Sequence, residues 1–443
     1  MSENSSTFTH AYEPLNTACF KVHTTQLIAS GDRVVNVSFI YFVDKDGLPT
    51  EVTRLQDYVA YGINKTGAFK SSSKKACLYF TMFLNHVLIR EHDRFKITTV
   101  QEITKDMMED FFEHYGLTIQ ENKEPLSKQT AFECLRVVTF TMYHLVKKFG
   151  KQMHVTEEEL LIFKTFQDYR NQTVTKLVPN FHINTSNAYH ESLLRELPTE
   201  AFEILVSLAM VHAPDIVFPM CVQAFAGLRP GEVCNVYFDP DGTNGIQYAY
   251  DMRGGHVLPH LKLTEEYALR DDSTSVGGIK KERIQCVFPD FVEAFKAAHE
   301  FHMQYRMNHK VLQTSRKFQP MFVNKHGKAL IYDTYRKKFN VLVNGPFLEA
   351  LLKSDNEEMR AYGQEVRRRG LDPHCLRHFF TVQLVLRGLT AAELQYWRGD
   401  SNIESSMQYI LGKGELMKAS QNIGSNFTQK MMRIFEKKVH PYG

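Results

Sequence analysis

Asp372-Pro-His-Cys-Leu-Arg-His378 sets His374 and Arg377 three residues apart, so that both fall on one face of a helix. Two more stretches in the same half of the chain stand out. In Ala226-Gly-Leu-Arg-Pro-Gly-Glu-Val233, Arg229 enters a turn with Glu232 three residues on, and Arg398-Gly-Asp-Ser-Asn-Ile-Glu-Ser-Ser-Met-Gln-Tyr409 ends in a tyrosine. Singly, each is ordinary. An arginine beside a turn is usually a solvated cap residue, and a tyrosine among amphipathic residues is usually core. The information lies in their order and spacing, with Tyr409 standing 32 residues after Arg377.

The 443 residues suffice for two or three domains, and 43% hydrophobic with 23% charged residues is the balance of a folded globular chain. The N-terminal Met1-Ser-Glu-Asn-Ser-Ser-Thr-Phe-Thr-His10 lacks the basic and apolar regions of a signal peptide, and no apolar run reaches the roughly 18 residues of a membrane span. A cytosolic or nucleoid location, with no membrane association, is expected. Seven scattered cysteines (Cys19, Cys77, Cys134, Cys221, Cys234, Cys286 and Cys375) contain no CxxC pair, which excludes a zinc ribbon and argues against a disulfide framework. A net charge of +3 permits a polyanionic partner without requiring one.

Alternating β-branched and aromatic residues in Arg33-Val-Val-Asn-Val-Ser-Phe-Ile-Tyr-Phe-Val43, followed by the turn Asp44-Lys-Asp-Gly47, predict a small β-rich unit over 1–51. From Ser73 the period becomes helical, with Phe80, Phe83, Leu84, Val87 and Leu88 on one face. Ile103 to Tyr115 forms a shorter amphipathic piece. A third helix starts at Ser127, aligns Phe132, Leu135, Thr139, Met142 and Val146, and closes on Lys147, Lys148 and Gly150. Residues 52–178 therefore read as an all-helical domain, 179–192 as a linker, and 193–443 as a second domain opened by a helix with Thr199 as N-cap. Two helices run to about Phe225, a short β section follows between Val233 and Val287, and helices dominate to the end. The fold class is mainly α with a small β section.

In combination, the three stretches resemble the tyrosine recombinases, or phage-integrase family. That pattern has an arginine in Gly-Leu-Arg-x-x-Glu, a lysine in a β-hairpin, His-x-x-Arg on a helix, then His or Trp, then a nucleophilic tyrosine. Arg229 and Glu232, His374 and Arg377, and Tyr409 match it, and the resemblance covers about residues 190–412. It implies a mixed α/β catalytic domain preceded by a helical core-binding domain. The chemistry accounts for the same residue types independently. A phosphodiester under attack gathers negative charge on its non-bridging oxygens, which two guanidinium forks hold with charge-assisted bonds. Arg229 and Arg377 suit that task. His374 can bond the phosphate or take the phenolic proton. Tyr409 would attack, its ordinary pKa near 10 requiring nearby positive charge, and the 3′-phosphotyrosine would conserve the bond energy without cofactor or metal.

The leaving 5′-oxygen needs an acid. The resemblance implies a hairpin lysine, and Lys280 is favoured within Val276-Gly-Gly-Ile-Lys-Lys-Glu-Arg-Ile-Gln-Cys-Val287, with Lys281 and Lys262 as alternatives. The segment from Tyr267 to Ile279 is longer than the pattern's hairpin. Asp400 stands nine residues before Tyr409, where the pattern has His or Trp. A carboxylate there donates no hydrogen bond and repels phosphate, so either it turns aside to orient a neighbour, or Trp397 or Arg398 supplies the donor, or the site is inactive. His378 contributes beside Arg377 or supports the helix. Lys74-Lys75, Lys147-Lys148, Arg316-Lys317, Arg336-Lys-Lys338 and Arg367-Arg-Arg369 fit a two-domain clamp on double-stranded DNA.

Three functions fit: a site-specific recombinase, a type IB topoisomerase-like enzyme, and an inactive DNA-binding relative. In the tail, Ser425 can cap a helix carrying Phe427, Met431, Ile434 and Phe435 on one stripe. That stripe is buried either on its own catalytic domain or, as the resemblance implies, in a groove of a neighbouring protomer, linking a homo-tetramer on paired sites.

Overall fold

The computed structural model describes residues 18–28, 30–63, 72–117, 126–167, 172–185, 193–238, 245–251, 256–309, 314–400, 403 and 427–439. Tyr409 and Ser425 lie outside the described residues. The chain divides into two compact units, Met1–Leu27 with Val35–His190, and Ile28–Val34 with Glu191–Gly443.

In the first unit, the strands Cys19–Ile28, Val34–Val43 and Pro49–Val52 form one sheet in chain order. Alternation buries Ile40 completely, and it enters the same core as Val59, Phe80, Phe83, Phe111 and Met142 from the helices. The Asn85 side chain ties the sheet to these helices, accepting from the Phe20 amide at 2.7 Å and donating to the Phe20 carbonyl at 2.9 Å. Ser127 caps the helix Lys128–Phe149, its Oγ accepting from the Thr130 amide at 3.2 Å. Phe132 departs from the predicted stripe. It is 47% exposed, with the Lys128 ammonium 5.9 Å from its ring, because it sits off the line through Leu135, Thr139, Met142 and Val146 that faces the core.

The expected all-helical stretch also contains a β ladder. Leu161–Gln167 pairs antiparallel with Thr173–Pro179 over seven residue pairs, from Leu161↔Pro179 to Gln167↔Thr173. The β-branched run Thr173-Val-Thr-Lys-Leu-Val178 has a period of two, and that outweighs the helical pattern preceding it.

In the second unit the helices Thr199–His212, Val217–Ala226, Val292–Asn308, Tyr332–Leu342 and His374–Leu386 enclose a phenylalanine-rich core that includes Phe202, Phe225, Phe291, Phe339 and Phe380. The first of these begins one residue earlier than predicted. Pro198 is its N-cap and Thr199 its first helical residue, whose Oγ accepts from Gln383 Nε2 at 3.0 Å. A three-stranded antiparallel sheet, Ile246–Asp251, His256–Leu263 and Arg283–Cys286, lies at the second unit's β section. The long excursion between its last two strands is held by the segment Ile28–Val34 of the same unit. The Val34 amide donates to the Glu266 carbonyl at 2.9 Å, and the Ala268 amide to that of Asp32 at 2.8 Å. Tyr267 stacks on Phe318 with ring centroids 3.7 Å apart.

Of the two packings expected for the tail helix Phe427–Val439, it adopts in this chain the one on its own unit. Phe427, Met431 and Phe435 are buried, and the Phe427 ring lies within 5.7–6.2 Å of Phe202, Phe225, Phe291 and Phe379. A stripe of that size must leave water, and a phenylalanine-lined hollow within reach of its own chain satisfies it.

Candidate phosphate-binding site

The helix Val217–Ala226 ends on Gly227, whose φ of +67° is the left-handed closure that suits glycine. A Cβ there would also lie 2.5 Å from the Phe380 ring, so both backbone and packing require glycine. The chain then turns into Pro230–Val233, a single helical turn with Arg229 as N-cap and Pro230 at its first position. Glu232 folds back on that turn: Oε2 accepts from the Arg229 amide at 3.1 Å and Oε1 from Arg229 Nη1 at 3.0 Å.

Across from it, Pro373 opens the helix His374–Leu386, and Asp372 Oδ1 accepts from the His374 amide at 2.9 Å. Gln223, fully buried, joins the two loops: its Nε2 donates to the carbonyls of Leu228 at 3.3 Å and Pro373 at 3.2 Å. Arg377 is 2% exposed. Its Nη1 donates to the Gly227 carbonyl, and its Nη2 to the Arg398 carbonyl at 3.0 Å and to Asp400 Oδ1 at 2.6 Å.

The third element is the end of the helix Ala391–Arg398. Gly399 (φ +63°) and Asp400 close it: the Gly399 amide donates to the Tyr396 carbonyl at 3.0 Å and the Asp400 amide to that of Gln395 at 3.1 Å, a Schellman motif. This closure delivers Asp400, 7% exposed, to the arginines. Arg229 Nη2 donates to the same Oδ1 at 2.8 Å that Arg377 engages. Arg398 Nε lies 2.8 Å from Oδ2, an ion pair without hydrogen-bond alignment. Asp400 therefore does not turn aside from the arginines; it is their common acceptor.

The edge strand Arg283–Cys286 completes the site. Arg283 Nη1 and Nη2 donate to Glu232 at 3.1 and 2.7 Å, and Gln285 Nε2 donates to the Trp397 carbonyl at 2.6 Å. Sequence reasoning missed Arg283 and Gln285, although the alternation of 283 and 285 along an extended edge was readable. Lys280 and Lys281 lie in the bend before this strand, not within it, so strand alternation does not sort them. Lys280 is exposed. Lys281 Nζ donates to the Asp400 carbonyl at 3.3 Å, while Lys262 sits on the neighbouring strand opposite Ile284.

Burial alone would raise the Glu232 carboxyl, but the Arg283 hydrogen bonds and charge, then Arg229, pull it down to about 2, so it is ionised. Arg377 is lowered to about 9, first by burial and then by the Arg229 charge, with Asp400 opposing both. His374 and His378 are lowered by burial of their rings, His378 to about 4, which keeps both neutral at pH 7. Four guanidiniums face two carboxylates in this cluster, leaving two positive charges over. Such a site attracts anions.

Each basic cluster singled out in the sequence has one member spoken for: Lys75 by Glu133, Lys147 by Glu157, Arg316 by Asp271, Lys338 by Asp215 and Arg368 by Glu365. The side chains of Lys74, Lys148, Lys317, Arg336, Lys337 and Arg367 form no ion pair among the described residues. Among the described residues no helix is long and apolar enough to cross a membrane.

No family model and no curated protein matches the chain. Among solved structures, it is similar to the Tn1549 transposon integrase in complex with transposon right end DNA, at 15% identity and a TM-score of 0.48, over 83% of this chain and 100% of that one. It is also similar to XerH site-specific recombinase bound to difH substrate, at 13% identity and a TM-score of 0.45, over 84% and 93% of the two chains. A lambda integrase dimer bound to a core site matches at 13% identity and a TM-score of 0.40, over 80% and 94%.

Proposed function

We propose that this chain is a site-specific DNA recombinase that cuts and rejoins strands through Tyr409, acting as a tetramer on two duplex sites. The observation that carries the reading is the convergence of Arg229 and Arg377, from segments 148 residues apart, on one anionic oxygen. A phosphodiester presents the same kind of oxygen. His374, on the first turn of the Arg377 helix, is the third donor or the acceptor of the phenolic proton.

In the reaction, Tyr409 Oη forms a bond to phosphorus while the bond to the 5′-oxygen breaks. The leaving oxygen takes a proton from a lysine of the 280–281 bend. Attack by a 5′-hydroxyl reverses these steps and releases Tyr409. Glu232 holds Arg229 and Arg283 and touches no substrate. Exchange of the tail helix between protomers would use the phenylalanine hollow that it fills here in its own chain. The 27 residues from Asp400 to Phe427 could extend to roughly 90 Å, which is enough to reach a neighbour.

A nicked duplex that traps the covalent intermediate tests the reading. A protease-sensitive protein–DNA adduct, absent in Tyr409→Phe with DNA affinity unchanged, supports it. Adduct formation through another tyrosine refutes it. Asp400 in the arginine pair favours one alternative, a DNA-binding protein without cleavage, and saturating binding with no adduct would establish that instead.

A further inference from the structure

Asp400 does to the arginine pair what a phosphate would do. Its Oδ1 accepts from Arg229 Nη2 at 2.8 Å and Arg377 Nη2 at 2.6 Å, as a non-bridging phosphate oxygen would accept from the same two forks. At Arg377 Nη2 the two anions compete for the same donor. Both protons of Arg377 Nη2 are engaged, one on the Arg398 carbonyl and one on Asp400, while Nη1 is bound to the Gly227 carbonyl and the side chain is 2% exposed. Arg377 can offer Nη2 to a phosphate only after Asp400 withdraws.

Three guanidiniums hold the carboxylate, so it withdraws only when an incoming anion replaces it on them. The backbone of Asp400 is anchored separately: the amide donates to the Gln395 carbonyl at 3.1 Å, and the carbonyl accepts from Lys281 Nζ at 3.3 Å and Gln395 Nε2 at 3.4 Å. Side-chain rotation leaves those bonds intact. The second carboxylate oxygen is held only by the charge of Arg398, 2.8 Å away, without an aligned hydrogen bond. A cavity of about 390 Å³, lined by Asp400, Lys281, Arg283 and Trp397, lies beside it and offers an ammonium as a new counter-charge.

We propose that Asp400 is an internal occupant of the phosphate seat: it holds Arg229 and Arg377 together in the free chain and swings toward Lys281 when a phosphodiester enters. The proposal rests on reading the arginine pair as that seat. It makes Asp400 a positioning residue in a place where the sequence pattern has a hydrogen-bond donor, and the seat closed until DNA displaces it.

The test uses inorganic phosphate on the full chain, with chloride at matched ionic strength as control. Wild type should show no phosphate-specific change in Tm. Asp400→Asn, whose arginines have lost their counter-anion, should melt lower in chloride and recover by about 5 °C at a phosphate concentration ~100 times its Kd. Asp400→Glu keeps a carboxylate in reach and should behave as wild type. The proposal is overturned by an Asp400→Asn protein indifferent to phosphate, by one unfolded in both anions, or by an Asp400→Glu protein that responds equally. A phosphate response without a DNA adduct would retain the seat and remove the strand-transfer reading, whereas an adduct without the response would do the reverse.

Discussion

Replacing Glu232 by glutamine tests the framework that holds the site. Glu232 is fully buried and accepts four hydrogen bonds, from the Arg229 amide and Nη1 and from Arg283 Nη1 and Nη2, at 2.7–3.1 Å. The isosteric amide keeps the volume and one acceptor but removes the charge, so two guanidiniums face an amide. Two estimates of the loss agree. Breaking a buried pair by neutralising one partner is worth about 3–5 kcal/mol, and the glutamine's remaining acceptor places this case at the lower end. Independently, holding the carboxyl at about 2 instead of its ordinary 4.5 corresponds to about 3 kcal/mol at neutral pH. Because the folded value lies below the unfolded one, this stabilisation is complete above pH 4.5 and drains away as the pH falls toward 2. Trp397, the chain's single tryptophan, sits at the site with its ring 5.1 Å from that of Phe288, so its fluorescence follows the unfolding of this unit. Urea titrations of wild type and Glu232→Gln should differ by about 3 kcal/mol at pH 7, with the gap narrowing below pH 4.5. A gap under about 0.5 kcal/mol, or one that does not change with pH, would refute the argument that Glu232 is an ionised strut between Arg229 and Arg283.

The other expectations concern the acid and the tail. With a substrate whose bridging 5′-oxygen is replaced by sulfur, which departs without protonation, the lysine serving as acid is the one whose alanine variant is rescued. Lys280→Ala was the expectation from sequence, and the reach of Lys281 to Asp400 makes Lys281→Ala the direct competitor; rescue of neither would exclude the bend. Truncation after Gly414 removes a helix whose Met431 is fully buried. It should therefore lower the stability of the monomer by at least the 2–5 kcal/mol of a large-to-small core change, as read by Trp397 fluorescence. Unchanged stability would show that the helix is not part of its own core.

The sequence by itself determined whatever depends on neighbours along the chain. The Gly227 closure, the Arg229–Glu232 turn, the Ser127 cap and the His374–Arg377 spacing are local, because capping and turn geometry act within four residues. Core positions such as Phe80, Phe83 and Met142 were legible for the same reason, since the helical period groups them on one apolar stripe. Only the tertiary structure decided the rest. Phe132 left its stripe when the neighbouring elements faced another line of the helix, and the tail helix found a hollow assembled from four phenylalanines of three other elements and a connecting turn. The meeting of Asp400 with Arg229, 171 residues away, could not be read from either segment. Asp400 alone reads as a carboxylate that would repel a phosphate. Between two arginines it becomes the anion that waits in the phosphate's place, because the sign of an electrostatic effect is set by what stands within a few ångströms in space.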